Sequence, residues 1–290
     1  MLLPGTIAII LRPETGYVRK FPVPPMSDLL VLCAFLSFAV FLLARQHPYA
    51  AAAGWGCIVL NLWSEMPAFF REDNFLYPVL ALLALPFLAI TVERLIRRDP
   101  VVLRLSRTAA VATLIYVPFA LVPLLRDALI ATVVTLAFSL ITALGNHPQL
   151  LAWDIIAEHA FVNQIILGCT GIMAIALMLG VAFGEERLTR RQALLAFILI
   201  VPPIFLLNLL RVSIVFIAVS GTWFSGFPDP TGTGDANFFW AHNVIAEGLA
   251  ILFLLLLVRA LCRIIPSLGD FARALVKLYF DRLRALTVAS

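Results

Sequence analysis

Charge is scarce in this chain. Asp, Glu, Lys and Arg make up 13% of its 290 residues, where a soluble domain carries about a quarter. That shortage excludes an ordinary water-facing surface. The formal net charge of +4 does not form a nucleic-acid footprint, because most of the Lys and Arg lie in a few loops and the C-terminal tail. Cysteine is sparse as well: Cys33, Cys57, Cys169 and Cys262 are scattered without CxxC spacing, which excludes a disulfide framework and a zinc site. Cys33 and Cys57 read as small apolar residues within helices. Asp229 and Asp235 lack the regular ligand spacing of a calcium loop, so no metal and no cofactor is expected. The strand alternation of a membrane barrel is absent, and no internal repeat of the transporter kind is found.

What is present is apolar. Hydrophobic residues reach 62% and the mean hydropathy is +1.01. They gather at 28–44, 49–64, 75–93, 108–125, 127–144, 161–183, 192–220 and 241–262, runs long enough to cross a hydrocarbon core about 30 Å thick. The expected fold is all-α, a polytopic transmembrane helical bundle of seven or eight spans. Residues 1–26 hold three arginines and lysines among prolines and do not fit this pattern. They are expected to be a leader, non-native or loosely ordered. The transmembrane domain is expected over 27–262, with a basic tail over 263–290.

The 94–107 connection carries five arginines, Arg187, Arg190 and Arg191 form a second basic loop, and the tail is basic. By contrast, 145–160 and 221–240 contain acids and no Lys or Arg. The positive-inside rule therefore puts the tail in the cytoplasm and those two loops outside. One conflict arises: between an inner 107 and an outer 160 the chain must cross an odd number of times, yet two apolar segments lie there. A re-entrant element at Arg126-Asp127 or a rule-breaking basic loop would resolve it.

Three polar residues interrupt the last apolar stretches: Cys169, Arg211 and His242. On the expected topology Cys169 lies about 12 Å, and Arg211 about 15 Å, below the outer boundary at 1.5 Å per residue, and His242 opens the last span. Taken singly, each has an ordinary reading: a packing cysteine, a snorkelling arginine, an interfacial histidine beside Phe239 and Trp240. An arginine so far inside a span costs roughly 2.5–3.5 kcal/mol on insertion scales, so it normally faces a cavity or a partner. Together, a thiol, a guanidinium and an imidazole supply a nucleophile, an oxyanion stabiliser and a proton-transfer group. Gly168, Thr170 and Gly171 are small neighbours that let a substrate backbone approach the thiol. Asn208, one turn before Arg211, is placed to orient it. Asn243 is either a supporting residue or a cap of the last helix, and Pro202-Pro203 is expected to interrupt the helix upstream.

In Cys-Thr-Gly-Ile (169–172), Asn-Leu-Leu-Arg (208–211), Trp223-Phe224 and His-Asn-Val-Ile-Ala (242–246), the chain resembles the archaeosortase/exosortase family, within it the archaeosortase A type. The resemblance covers roughly 28–262. It implies a multi-spanning cysteine transpeptidase that processes surface proteins. Their C-terminal tails would carry a short motif (Pro-Gly-Phe in the archaeal type), a hydrophobic helix and a basic cluster. The new C-terminus would pass to a membrane lipid. Archaeal members of this type carry an arginine after the His-Asn motif, where this chain has Glu247. The third catalytic residue is then either His242, as in the exosortase pattern, or the chain belongs to a variant subgroup.

Two other classes compete. Glu185-Glu186…Arg190, Phe238…His242 and His159…Asn163 match the short patterns of CAAX-type intramembrane proteases, in which glutamate and histidine activate water. The order of the motifs, and the distance of the glutamates from His242, run against that reading. A transporter is the second alternative; Pro202-Pro203 offers its broken-helix hint, but there is no repeat and there are few membrane acids to couple ions. The expectation is a cysteine protease and transpeptidase with its site near the extracytoplasmic face. Its partners would be the C-terminal tails of secreted proteins and an acceptor lipid, with no nucleic acid.

Overall fold

A computed structural model describes residues 25–44, 46–67, 76–230 and 236–288; nearly all of the expected leader, and Asp235, lie outside the described residues. Nine helices occur among these: α1 (Pro25–Leu43), α2 (Pro48–Ser64), α3 (Leu76–Ile96), α4 (Pro100–Leu121), α5 (Pro123–Ala143), α6 (Ile172–Phe183), α7 (Arg190–Ser220), α8 (Ala236–Ile264) and α9 (Ser267–Val288). Five are long and apolar enough to cross a membrane, namely α3, α4, α5, α7 and α8; α1 and α6 are apolar but shorter. Prolines open α2, α4 and α5, where the missing N–H costs nothing and the fixed φ suits the first turn. Asp99 caps α4 by accepting from the Val101 N–H. Thr189 and Gln192 form a reciprocal capping box on α7. That helix then runs unbroken through Pro202-Pro203, contrary to the expected interruption.

The apolar stretch 161–183 is not one helix. Its first residues form β3 (Phe161–Gln164), the last strand of a three-stranded antiparallel sheet with β1 (Gln149–Ala152) and β2 (Ile155–Glu158). A short run of Phe, Val and Ile reads equally well as strand or helix. Here two-residue links decide, since Ala152 pairs with Ile155 and Glu158 with Phe161, and His159 takes a positive φ of 54° in the second link. A 3-10 turn, Leu167–Thr170, separates the sheet from α6. The twelve residues of α6 extend only about 18 Å.

The bundle has two chemically distinct ends. At one, Arg104 pairs with Glu185 at 2.5 Å and Arg107 pairs with Glu186. Arg107 also donates to Gly184 O (3.2 Å) and Gln46 Oε1 (3.1 Å), and Gln192 donates to Ile264 O at 3.0 Å. The C-terminal segment is helix α9, docked at this end: Tyr279 stacks on Phe87 at 5.2 Å and shares a hydrogen bond with Thr91 at 2.6 Å. Arg282 pairs with Glu93. At the opposite end, Glu158 accepts from the His147 N–H (2.6 Å) and the Ser220 hydroxyl (3.4 Å). Asn237 there accepts from the Phe224 N–H at 2.7 Å. The basic loops thus share one end, and the two loops free of Lys and Arg share the other.

These contacts bear on the crossing conflict. The first half of α4 meets the end of α6: Arg107 donates to Gly184 O, and a Cβ added at Gly184 would lie 2.6 Å from Thr108 Oγ1. The end of α5 leads to His147, beside the last residue of α7. Between them Val122 takes an extended conformation (φ −97°, ψ 105°). So α4 starts at the basic end, packed on α1 and α6, and α5, packed on α7, finishes at the far end.

Candidate active site

Three structural pieces meet about two-thirds of the way along α7. The first is β3. The Ile165 N–H donates to Asp154 O at 2.8 Å, continuing the ladder past the strand, and Phe161, Asn163 and Ile165 share one face. Phe161 and Ile165 are buried (7% and 1% exposed), and the Phe161 ring lies 5.4 Å from that of Phe216 on α7.

The second piece is the 3-10 turn that carries Gly168, Cys169 and Thr170. The Cys169 N–H donates to Ile166 O at 2.8 Å, and the buried Thr170 hydroxyl donates to Leu167 O at 2.7 Å. Gly171 ends the turn with φ +77° and starts α6. A side chain there would be strained in backbone and would place a Cβ 3.1 Å from Asn208 Cβ. Asn208 uses this closeness: its Nδ2 donates to Cys169 O at 2.7 Å. Cys169 therefore sits in a 3-10 turn between β3 and α6, not inside a descending helix as expected, and Asn208 fixes the cysteine backbone.

The third piece is the start of α8. Over Phe239–Ala246 its turns are widened to five-residue bonding, with the Glu247 N–H reaching His242 O. Such widened turns are uncommon and recur at functional sites. Phe238 stacks on the His242 ring at 4.8 Å. His242 Nδ1 lies 2.9 Å from Asn243 Oδ1, and Nε2 lies 3.2 Å from Arg211 Nη2. A guanidinium only donates, so Nε2 accepts and Nδ1 carries the hydrogen shared with Asn243. The imidazole is neutral and held at both nitrogens.

Cys169, Arg211 and His242 line one cavity, walled by Phe161, Ile165, Val215 and Phe238. Arg211 Nε is buried there with no hydrogen-bond partner among the described residues, an unusual state for a charged donor. Burial pushes the Cys169 thiol up from its ordinary range, while the Ile166 backbone and the Arg211 guanidinium act in the opposite direction. Glu247 lies one turn beyond Asn243, exposed on α8, with Arg211 as an electrostatic neighbour. Asn163 also lines the cavity. In the sequence Asn163 belongs only to a rival motif, and no local signal distinguishes it, because its position depends on the strand. Glu185 and Glu186 of that rival motif are held by Arg104 and Arg107 at the basic end, away from His242. No group of three or more His, Cys, Asp or Glu suited to a metal ion occurs among the described residues.

An apolar helical bundle of membrane type, with a thiol, a guanidinium and an imidazole on one cavity, defines the class of molecule. Among characterised proteins the chain is similar to archaeosortase A of Haloferax volcanii, with 28% identity over 177 residues, 52% of this chain and 58% of that protein. The chain thus spans less than two-thirds of that relative's length. No family model matches the chain, and no solved structure matches it. The resemblance read from the motifs is supported at this distance, and the apolar helices fit a multi-pass membrane protein.

Proposed function

We propose that this chain is a membrane-embedded cysteine transpeptidase. It cleaves the C-terminal tail of surface proteins, built of a short motif, an apolar helix and a basic cluster, and passes the new C-terminus to an amine-bearing membrane lipid or to water. The observation that carries this reading is the shared cavity of Cys169, Arg211 and His242, with the buried Arg211 Nε left unpaired.

In the resting site Arg211 occupies His242 Nε2. When a scissile carbonyl enters, Arg211 turns its N–H groups to the carbonyl oxygen and frees Nε2 to take the Cys169 proton. The sulfur attacks the carbonyl carbon, and the guanidinium holds the oxyanion. Collapse expels the amine, which takes the proton from His242 and leaves a thioester. The acceptor amine or water then gives a proton to His242, attacks the thioester and returns the thiol. Asn208 holds the Cys169 backbone, and Asn243 fixes the imidazole tautomer. Glu247, exposed beside Asn243, lines the approach of the substrate.

The basic end faces the cytoplasm by the positive-inside rule. Along α7, Arg190 to Arg211 is about 31 Å, close to one hydrocarbon thickness of about 30 Å. The site then lies at the outer boundary. With α4 and α5 sharing one crossing, the spans number seven.

The test is a mass measurement of a tail-bearing protein in cells with and without this chain. A tail lost only in its presence, and retained with Cys169→Ala at equal membrane abundance, supports the reading. Normal processing by Cys169→Ala overturns it.

A further inference from the structure

Three asparagines stand at the site, and two are committed. Asn208 spends its Nδ2 on the Cys169 carbonyl, and Asn243 spends its Oδ1 on His242. Asn163 lines the same cavity as Cys169, Arg211 and His242, and its amide hydrogen-bonds no group among the described residues. A planar amide at a reaction cavity has two N–H donors to offer.

Its placement is built rather than incidental. Asn163 lies between two buried anchors on the same face of β3, Phe161 and Ile165. The strand is paired along β2, with Asn163 opposite Ile156. Its neighbour Gln164 is tied back to Asp154 at 2.7 Å. The backbone carrying the amide is therefore fixed before any substrate arrives, which is the condition for a donor to favour a transition state without reorganisation cost.

We infer that Asn163 is a further catalytic residue of this site, its Nδ2 donating to the oxygen of the scissile carbonyl. The inference rests on the transpeptidase reading above. Arg211 and Asn163 reach the oxygen from different walls of the cavity, one from α7 and the other from β3. As the sulfur adds to the carbonyl carbon, the carbonyl π pair moves onto that oxygen, and the neutral amide shares the new negative charge with the guanidinium. Nothing is transferred from Asn163, and its N–H bonds remain intact through both half-reactions.

The experiment uses the full chain in lipid nanodiscs with a synthetic peptide holding a Pro-Gly-Phe motif, an apolar helix and a basic cluster. It measures kcat and KM for cleavage, and separately the rate at which iodoacetamide alkylates Cys169 without peptide. Asn163→Ala is expected to lower kcat about 10²–10³-fold, as for loss of one oxyanion donor, with KM and the alkylation rate close to wild type, because the lost interaction is made only in the transition state. Asn163→Asp keeps the shape but sets a carboxylate against the oxyanion, so it must fall below Asn163→Ala. A residue needed only for packing would give the reverse order, since Asp is the closer fit. Unchanged kcat in Asn163→Ala, or Asp outperforming Ala, overturns the inference while leaving the transpeptidase reading intact. If the wild-type chain leaves every such peptide uncut, both fail together.

Discussion

Arg211 Nη2 and His242 Nε2 lie 3.2 Å apart, and this contact joins α7 to the widened start of α8. It leaves Arg211 Nε unpaired in the cavity and leaves no free lone pair on the imidazole. On the proposed mechanism, the imidazole would stay covered until something competes for the guanidinium.

Arg211→Lys tests that arrangement. A lysine is a single point charge on a flexible stem, and it cannot both donate to an imidazole and present a second fixed donor. The expected outcome is a protein at normal membrane abundance with tail cleavage reduced by roughly 10²–10³-fold, the effect of losing an oxyanion donor. Cleavage within a few-fold of wild type would reduce Arg211 to a packing role.

The identity of the third residue is open to direct comparison. His242→Gln retains an acceptor for Arg211 but cannot carry a proton, so cleavage should fall by about 10²–10⁴-fold, the range for loss of general acid–base help. Glu247→Ala, at an exposed position on α8, should leave kcat near wild type and act mainly through KM. The opposite pattern, with Glu247→Ala inactive and His242→Gln active, would transfer the proton role away from the imidazole.

Gly171→Ala examines the turn that presents the thiol. The left-handed conformation at φ +77° costs an L residue about 1–2 kcal/mol, and the new methyl would press on Asn208. Thermal unfolding in detergent should show a lower midpoint, and cleavage should drop further than the stability loss alone explains. Gly56→Ala serves as the control, because a Cβ there meets nothing within 4 Å.

Topology is measurable with a membrane-impermeant maleimide on a chain whose own cysteines are replaced. Arg97→Cys, before α4, and Gln149→Cys, after α5, should label from opposite faces of sealed vesicles. Labelling from the same face would mean that α4 and α5 cross separately.

The apolar segments, the sorting of the loops by charge and the meeting of Cys169, Arg211 and His242 were all legible in the sequence. Each depends on strong local signals: long hydrophobic runs, arginine clusters, and polar residues that lipid rejects. What the sequence concealed was the conformation between 149 and 171. There the same Ile, Val and Phe residues suit either a strand or a helix, and only pairing with a partner strand decides between them. Cys169 was therefore placed in a helix when it lies in a turn, and Asn163 went unrecognised because its direction depends on the strand. The proposed tandem course of α4 and α5 was hidden for a related reason. Val122-Pro123 marks a break, but a break alone does not tell whether the chain reverses or continues.

On the proposed function, the stretch of α7 from Arg190 to Arg211 would act as a calliper. For a tail of the proposed kind, anchored by its positive charges beside the Arg104–Glu185 end, only an apolar helix of about twenty residues, near 30 Å, sets its scissile bond level with the thiol. Shorter tails would stop beneath the cavity and longer ones would overshoot it, so length itself would discriminate among passing membrane segments before any motif is read.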